Sequence, residues 1–225
     1  MTYDEAISYI HSIDWRGSRP GLSRVTELLE KLGNPQDSLK FIHVGGTNGK
    51  GSFCAMLSSI LKESGLKTGL FTSPYIENFN ERMMINGENI PDSELAELTF
   101  QVSKIADKMD DPPTEFELIT ALAMLYFKNN ECDIVVLEVG LGGRLDATNI
   151  IKNPVLSIIS GIALDHTAIL GDTVEEIAAE KAGIIKEGRP ILLGCASAEK
   201  DREIVRNVVS LHATRQNSPD RKSVV

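Results

Sequence analysis

A chain of 225 residues can bury one substantial core, and 42% hydrophobic with 24% charged side chains excludes a disordered or fibrous polymer. With 23 basic against 32 acidic side chains the net charge is -9, which leaves no broad cationic surface to neutralise a nucleic-acid backbone. No uninterrupted apolar run is long enough to span a bilayer, and the opening MTYDEAISYI lacks the basic-then-apolar order of a secretory leader, so a cytosolic protein without membrane contact is expected.

In chain order, Thr2 with Glu5 forms a capping-box pattern, and Tyr3, Ile7, Ile10 and Ile13 follow at near-helical spacing. After the loop WRGSRPG, the residues Leu22, Val25, Leu28, Leu29 and Leu32 share one face of a second helix that Gly33-Asn34-Pro35 stops. The run FIHV at 41 to 44 predicts a strand that ends in a Gly-rich turn, and Phe53 to Leu61 predicts a helix closed by Gly65. Lys67 to Phe71 predicts another strand. The polar stretch TSPYIENFNERMMINGENI that follows has too few regular apolar positions for an assignment, and is expected to be loop with short strands.

Asp92 to Met109 predicts a helix, Asp111-Pro112-Pro113 breaks it, and Thr114 with Glu117 opens the next one. DIVVLEV at 133 to 139 and VLSIIS at 155 to 160 are β-branched runs of the continuous kind found in strands covered on both faces. A third capping box, Thr173 with Glu176, opens TVEEIAAEKAGII, and PILLG at 190 to 194 reads as one more strand. Strands alternating with helices predict an α/β fold with a mostly parallel sheet flanked by helices. Cys54, Cys132 and Cys195 fit neither a disulfide framework nor a clustered zinc site, and are expected to be small buried residues. From about Leu211 the chain is polar and aperiodic, so residues 1–210 are expected to form one domain and 211–225 a disordered tail.

HVGGTNGKGS, residues 43 to 52, is the strongest local signal because it sits between a predicted strand and a predicted helix. Small residues let the backbone N–H groups of Gly46, Thr47, Asn48, Gly49, Lys50, Gly51 and Ser52 turn toward phosphate oxygens, the helix dipole assists, and Lys50 reaches the terminal phosphates. Ser52 is then placed for magnesium. Gly51 separates Lys50 from Ser52, so the spacing departs from the common G-x-x-x-x-G-K-[ST] pattern. A bare Gly-rich turn packing a helix on a strand is the plainer alternative.

Ser73, Glu138 and the pair Asp165-His166 each follow a predicted strand, where open α/β sheets bind ligands, and a hydroxyl and a carboxylate beside a triphosphate suit magnesium. Singly, Ser73 could start a turn, Glu138 could cap the next segment, and His166 could be a core histidine. A buried strand ending in a carboxylate nevertheless calls for a partner. Lys181, in mid-helix, reads from spacing alone as a solvated side chain.

HVGGTNGKGS, LFTSPYIENFNERMMINGENI, LEVGLGGRLDATN and LDHTAILGDTVEEIAAEKAGII occur in this order, and with RPGLSRVTELLEKLGNPQ they resemble folylpolyglutamate synthase and dihydrofolate synthase, a branch of the Mur ligase superfamily. The resemblance implies a P-loop, Mur-ligase-type central domain and an ATP- and magnesium-dependent ligase. Its substrates would be L-glutamate and a folate, or dihydropteroate, joined through an acyl phosphate. It implies that Lys50 and the loop hold phosphates, that Ser73 and Glu138 ligate one magnesium, and that Glu138, His166 and Lys181 serve a second, with Lys181 carbamylated. Arg82 is implied as a contact to an anionic substrate. Such ligases are nearly twice this length and residues 211–225 do not resemble them, so the resemblance implies an incomplete nucleotide-binding domain over 1–210, a non-native tail, and a truncated chain that is inactive alone and monomeric when full length. Another Mur-type amide ligase and a non-catalytic nucleotide-binding fragment are the alternatives.

Overall fold

A computed structural model of the chain describes residues 1–13, 19–194 and 198–216. Helices α1 (Tyr3–His11) and α2 (Ser23–Lys31) precede strand β1 (Phe41–Gly45), helix α3 (Lys50–Glu63) and strand β2 (Thr68–Phe71). A hairpin of β3 (Met83–Ile85) and β4 (Glu88–Asn89) follows, then α4 (Asp92–Ala106), α5 (Glu115–Asn129) and β5 (Ile134–Glu138). Strand β6 (Leu156–Ile159), the short α6 (Thr167–Leu170), α7 (Val174–Ala182), β7 (Ile191–Leu193) and α8 (Arg202–Arg215) complete the described residues.

The strands form one sheet in the order β4-β3-β2-β5-β1-β6-β7. The five strands from β2 to β7 in that order run parallel, while β3 and β4 add antiparallel to one edge. The mostly parallel α/β expectation holds. The unassigned stretch after Phe71 contains that hairpin, whose turn is Asn86-Gly87 with φ 52° and 82°, the left-handed pair that a two-residue hairpin loop requires.

Period-2 alternation sorts the sheet's side chains between two layers. Phe41, Phe71, Val135 and Leu137 join the large core under α1, α2, α4 and α5. Ile42, Val44, Ile134 and Val136 pack beneath α3 with Cys54. Ile159 and Ile191 join a third core with α7 and α8. All three predicted capping boxes form: the side chains of Thr2, Thr114 and Thr173 accept from the amides of Glu5, Glu117 and Glu176.

One expectation is corrected. The tail does not begin near Leu211, because α8 continues to Arg215 with Val205, Val209 and Ala213 buried against the third core at a spacing of four. The isolated polar residues around Leu211 are its outer face. Residues 217–225 lie outside the described residues, as do 14–18 in the WRGSRPG loop and Cys195; Cys54 and Cys132 are buried and free, as expected.

Candidate functional site

The parallel strands β1, β2, β5 and β6 end on one side of the sheet, and the loops leaving them meet there. After β1 the chain turns through Gly46 and Gly49 into α3, which begins at Lys50 rather than near Phe53. Gly46 has φ 143°, and a Cβ there would lie 2.1 Å from the Ser160 hydroxyl, so only glycine fits. Gly49, at φ 77°, is the N-cap and offers no side-chain acceptor, which leaves the first-turn amides of α3 facing outward. The loop after β6 braces the turn. Thr47 N–H donates to Gly161 O at 2.8 Å, Ala163 N–H donates to the Thr47 hydroxyl at 3.1 Å, and the Ser160 hydroxyl donates to Asn48 O at 2.9 Å.

Glu138 ends β5 on the face that carries Ile134 and Val136, which aims its carboxylate at the start of α3. A Cβ on Gly51 would sit 3.6 Å from its Oε2. Glu138 is 3% exposed; Ser73 N–H donates to it at 3.1 Å. Burial raises its pKa, while the Ser73 amide and Lys50 work in the opposite direction. Lys50 Nζ donates to Thr47 O at 3.3 Å. The α7 lysine, Lys181, is 4% exposed and donates from Nζ to Gly46 O at 3.0 Å. Its pKa is lowered to about 8, first by burial and then by Lys50, with Asp165 and Asp146 partly offsetting. The reading of Lys181 as a solvated side chain is therefore corrected: α7 turns it inward, onto the phosphate-type loop.

The geometry thus gathers Lys50, Glu138, Ser73 and Lys181. His166 is less engaged. It caps α6 at φ 47°, its side chain is 56% exposed, and its ring nitrogen lies 3.6 Å from Asp165. Ser52 is exposed in the first turn of α3. Among the described residues no three of His, Cys, Asp and Glu cluster as a ready metal cage.

Beside Ser73 opens a cavity of about 520 Å³, walled by Arg19 to Gly21, Arg82, Thr114 to Glu117, Gly140 to Ala147 and the α6–α7 segment. Arg82 lies under Tyr75 and Phe79, its guanidinium carbon 5.1 Å and 5.5 Å from their ring centroids. Its Nε is buried with no hydrogen-bond partner, and burial lowers its pKa. The first wall is fixed by Arg24, which pairs through two hydrogen bonds, 3.0 Å and 2.9 Å, with the Glu117 carboxylate and donates a short bond to Arg19 O. Sequence reading gave no place in a site to Arg24 or Asp146, although both lie in segments, RPGLSRV and GLGGRLDATN, that carry the family resemblance.

Residues 44–214 match the pattern of the Mur ligase middle domain, and the chain belongs to that family. The match runs past Leu211, in agreement with α8. Within it, the relatives are folate-linked ligases. The dihydrofolate synthase/folylpolyglutamate synthase of Bacillus subtilis is 45% identical over 216 residues, which is 94% of this chain and 50% of that protein. The folylpolyglutamate synthase of Lacticaseibacillus casei is 45% identical over 199 residues, 86% of this chain and 46% of that one. Among solved structures, the apo form of the L. casei enzyme superposes with a TM-score of 0.92 at 41% identity, covering 99% of this chain and 54% of that chain. The Mycobacterium tuberculosis folylpolyglutamate synthase complexed with ADP and AMPPCP gives 0.87 at 31% identity, covering 98% and 50%. The chain spans about half the length of the relatives it matches.

Proposed function

We propose that the chain is the nucleotide-binding part of an ATP-dependent ligase that joins L-glutamate to a folate, with dihydropteroate as a second candidate acceptor. The observation that carries this reading is the position of Ser73: its amide binds Glu138 beside the loop of Lys50, and the residue also walls the cavity that contains Arg82. A triphosphate in the loop and a carboxylate in the cavity would meet there. Lys50 and the first-turn amides of α3 neutralise and orient the phosphates. Arg82, a partly buried cation that lines the cavity, offers an acceptor carboxylate a charge-assisted hydrogen bond. The carboxylate oxygen attacks the γ-phosphorus and ADP leaves. The amine of L-glutamate then attacks the acyl carbon and phosphate leaves, a far better leaving group than oxide. The protein's share is positioning and charge neutralisation.

The residues fit magnesium. Glu138 is buried with one amide donor and a raised pKa, so a divalent cation would complete its neutralisation, and a sparse donor set suits an ion that keeps waters and phosphate oxygens. Ser52, Ser73 and Glu138 would hold one ion. Glu138, His166 and Lys181 would hold a second, with Lys181 as its carbamate, since an ammonium cannot ligate a cation. A pKa near 8 keeps a fraction of Lys181 as the free amine that carbamylation needs. Magnesium, when bound, draws charge from the transferring phosphoryl group.

A second reading is nucleotide binding without ligation, since the chain spans about half the length of its relatives and the likeness covers only that half. One assay separates the two: glutamate-dependent ADP formation, measured for the 225-residue chain and for the chain joined in frame to the second half of the B. subtilis relative. We expect ADP formation with tetrahydrofolate or dihydropteroate from the joined protein, and none from the 225 residues alone. Turnover with a UDP-muramoyl acceptor and neither pterin would overturn the folate assignment.

A further inference from the structure

His43 belongs to the HVGGTNGKGS segment, yet phosphate binding gives it no task. Ile42 and Val44 face α3, so alternation points His43 to the opposite layer, where it is fully buried. Its Nε2 lies 2.9 Å from the Thr148 hydroxyl. That hydroxyl is also 2.5 Å from Asp146 Oδ1, and the Asp146 carboxylate accepts the amides of Thr148 at 3.0 Å and Leu141 at 2.8 Å.

The protons along this chain have one consistent order. Burial raises the Asp146 pKa, while the Thr148 hydroxyl and the amides pointing at the carboxylate act in the opposite direction; with the carboxylate ionised, the single hydroxyl proton of Thr148 goes to it. Toward His43 the hydroxyl can then only accept, so the ring proton sits on Nε2. The reverse order would place the proton on Nδ1, which has no partner, and a buried orphan N–H is costlier than a buried lone pair. Burial also pushes the His43 pKa to about 3, which keeps the ring neutral.

Asp146 lines the cavity and closes the Gly140 to Thr148 loop on itself; His43 stands on β1, which runs straight into the phosphate-type loop. We propose that His43 is a positioning residue: through Thr148 it locks Asp146 and so fixes the acceptor-cavity wall to the strand that carries the nucleotide loop. The proposal rests on the cavity being the acceptor site. It makes the two subsites one rigid frame, so that a phosphate and a carboxylate held separately stay in register for transfer.

The test uses the 225-residue chain with His43→Leu, His43→Gln, Thr148→Val and the His43→Leu/Thr148→Val double variant. Imidazole nitrogen NMR should show His43 as the neutral Nε2–H tautomer, with a signal that moves in Thr148→Val. Dihydropteroate, followed by its fluorescence, should bind about tenfold more weakly to either single variant, the worth of roughly one buried hydrogen bond, and no more weakly to the double variant. His43→Gln, which keeps a donor, should restore most of that affinity. ATP affinity should stay within about twofold throughout, since none of these side chains touches the phosphate loop. An Nδ1–H tautomer, additive losses, or equal loss of ATP and dihydropteroate would overturn the proposal. If the unsubstituted chain binds no dihydropteroate, the acceptor reading itself fails; hydrogen exchange then decides the linkage, which requires His43→Leu to speed exchange at 140–148 more than at 46–52.

Discussion

The phosphate-type loop and the acceptor cavity touch at Ser73, but they are built by opposite means. The loop is a contiguous ten-residue segment whose geometry follows from small residues between a strand and a helix, and of the charges that meet at it Lys50 offsets Glu138 and opposes Lys181. The cavity is assembled from segments separated by a hundred residues and more, held in place by buried pairs such as Arg24 with Glu117. The first kind of site takes its shape mainly from its own segment; the second depends on pairs between distant ones.

Breaking that dependence should give the largest effect. Arg24→Met leaves the Glu117 carboxylate in a wall where both partners are nearly inaccessible, and should destabilise the chain by about 3–5 kcal/mol in urea titrations. A loss below about 1 kcal/mol would show the pair to be dispensable.

On the other side of the comparison, Lys181 offers a pH signature. Its folded pKa, about 8, lies below the ordinary 10.5, so between those values the unfolded chain binds more protons and stability must rise with pH. The rise attributable to Lys181 is about 3 kcal/mol. Tyr126 and Cys132, whose pKa values burial raises, act in the opposite direction at high pH, so the quantity to measure is wild type minus Lys181→Met. That difference should climb from pH 8 to 10.5; a flat difference would mean that Lys181 is hydrated.

Smaller effects sharpen the contrast. Thr114→Ala removes the cap of α5 at the cavity wall and should cost about 1 kcal/mol, measured by thermal melting, with nucleotide binding unchanged. Arg144→Ala breaks a two-bond pair with Glu180 whose arginine is mostly exposed, and should cost less than about 1 kcal/mol.

Legibility in the sequence follows the same division. Strand runs, capping boxes and the loop around Lys50 were readable because each is a local pattern with a local cause. The short strands expected after Phe71 are present, but their bounds and their pairing about Asn86-Gly87 were not readable, because β3 and β4 are only three and two residues long. The helix α8 was not read at all, because its burial rests on Val205, Val209 and Ala213, too few and too small to stand out in a polar run. Lys181 was misread from spacing, since helical periodicity does not reveal what packs on a face. Arg24 and Asp146 were invisible as site residues because their partners, Glu117 and the 140–148 loop, are defined only once the sheet order is known. Of the residues proposed to hold magnesium, Ser73 donates its backbone amide to Glu138, whereas His166 is half-exposed beside Asp165.

The central claim is that Lys50 and its loop cradle a triphosphate facing Glu138. Calorimetric titration of the 225-residue chain with ATP, with and without magnesium, tests it most directly. Saturable, magnesium-dependent binding, weakened about tenfold or more by Lys50→Met, is the predicted result. No saturable binding, or binding indifferent to both magnesium and Lys50, would contradict it.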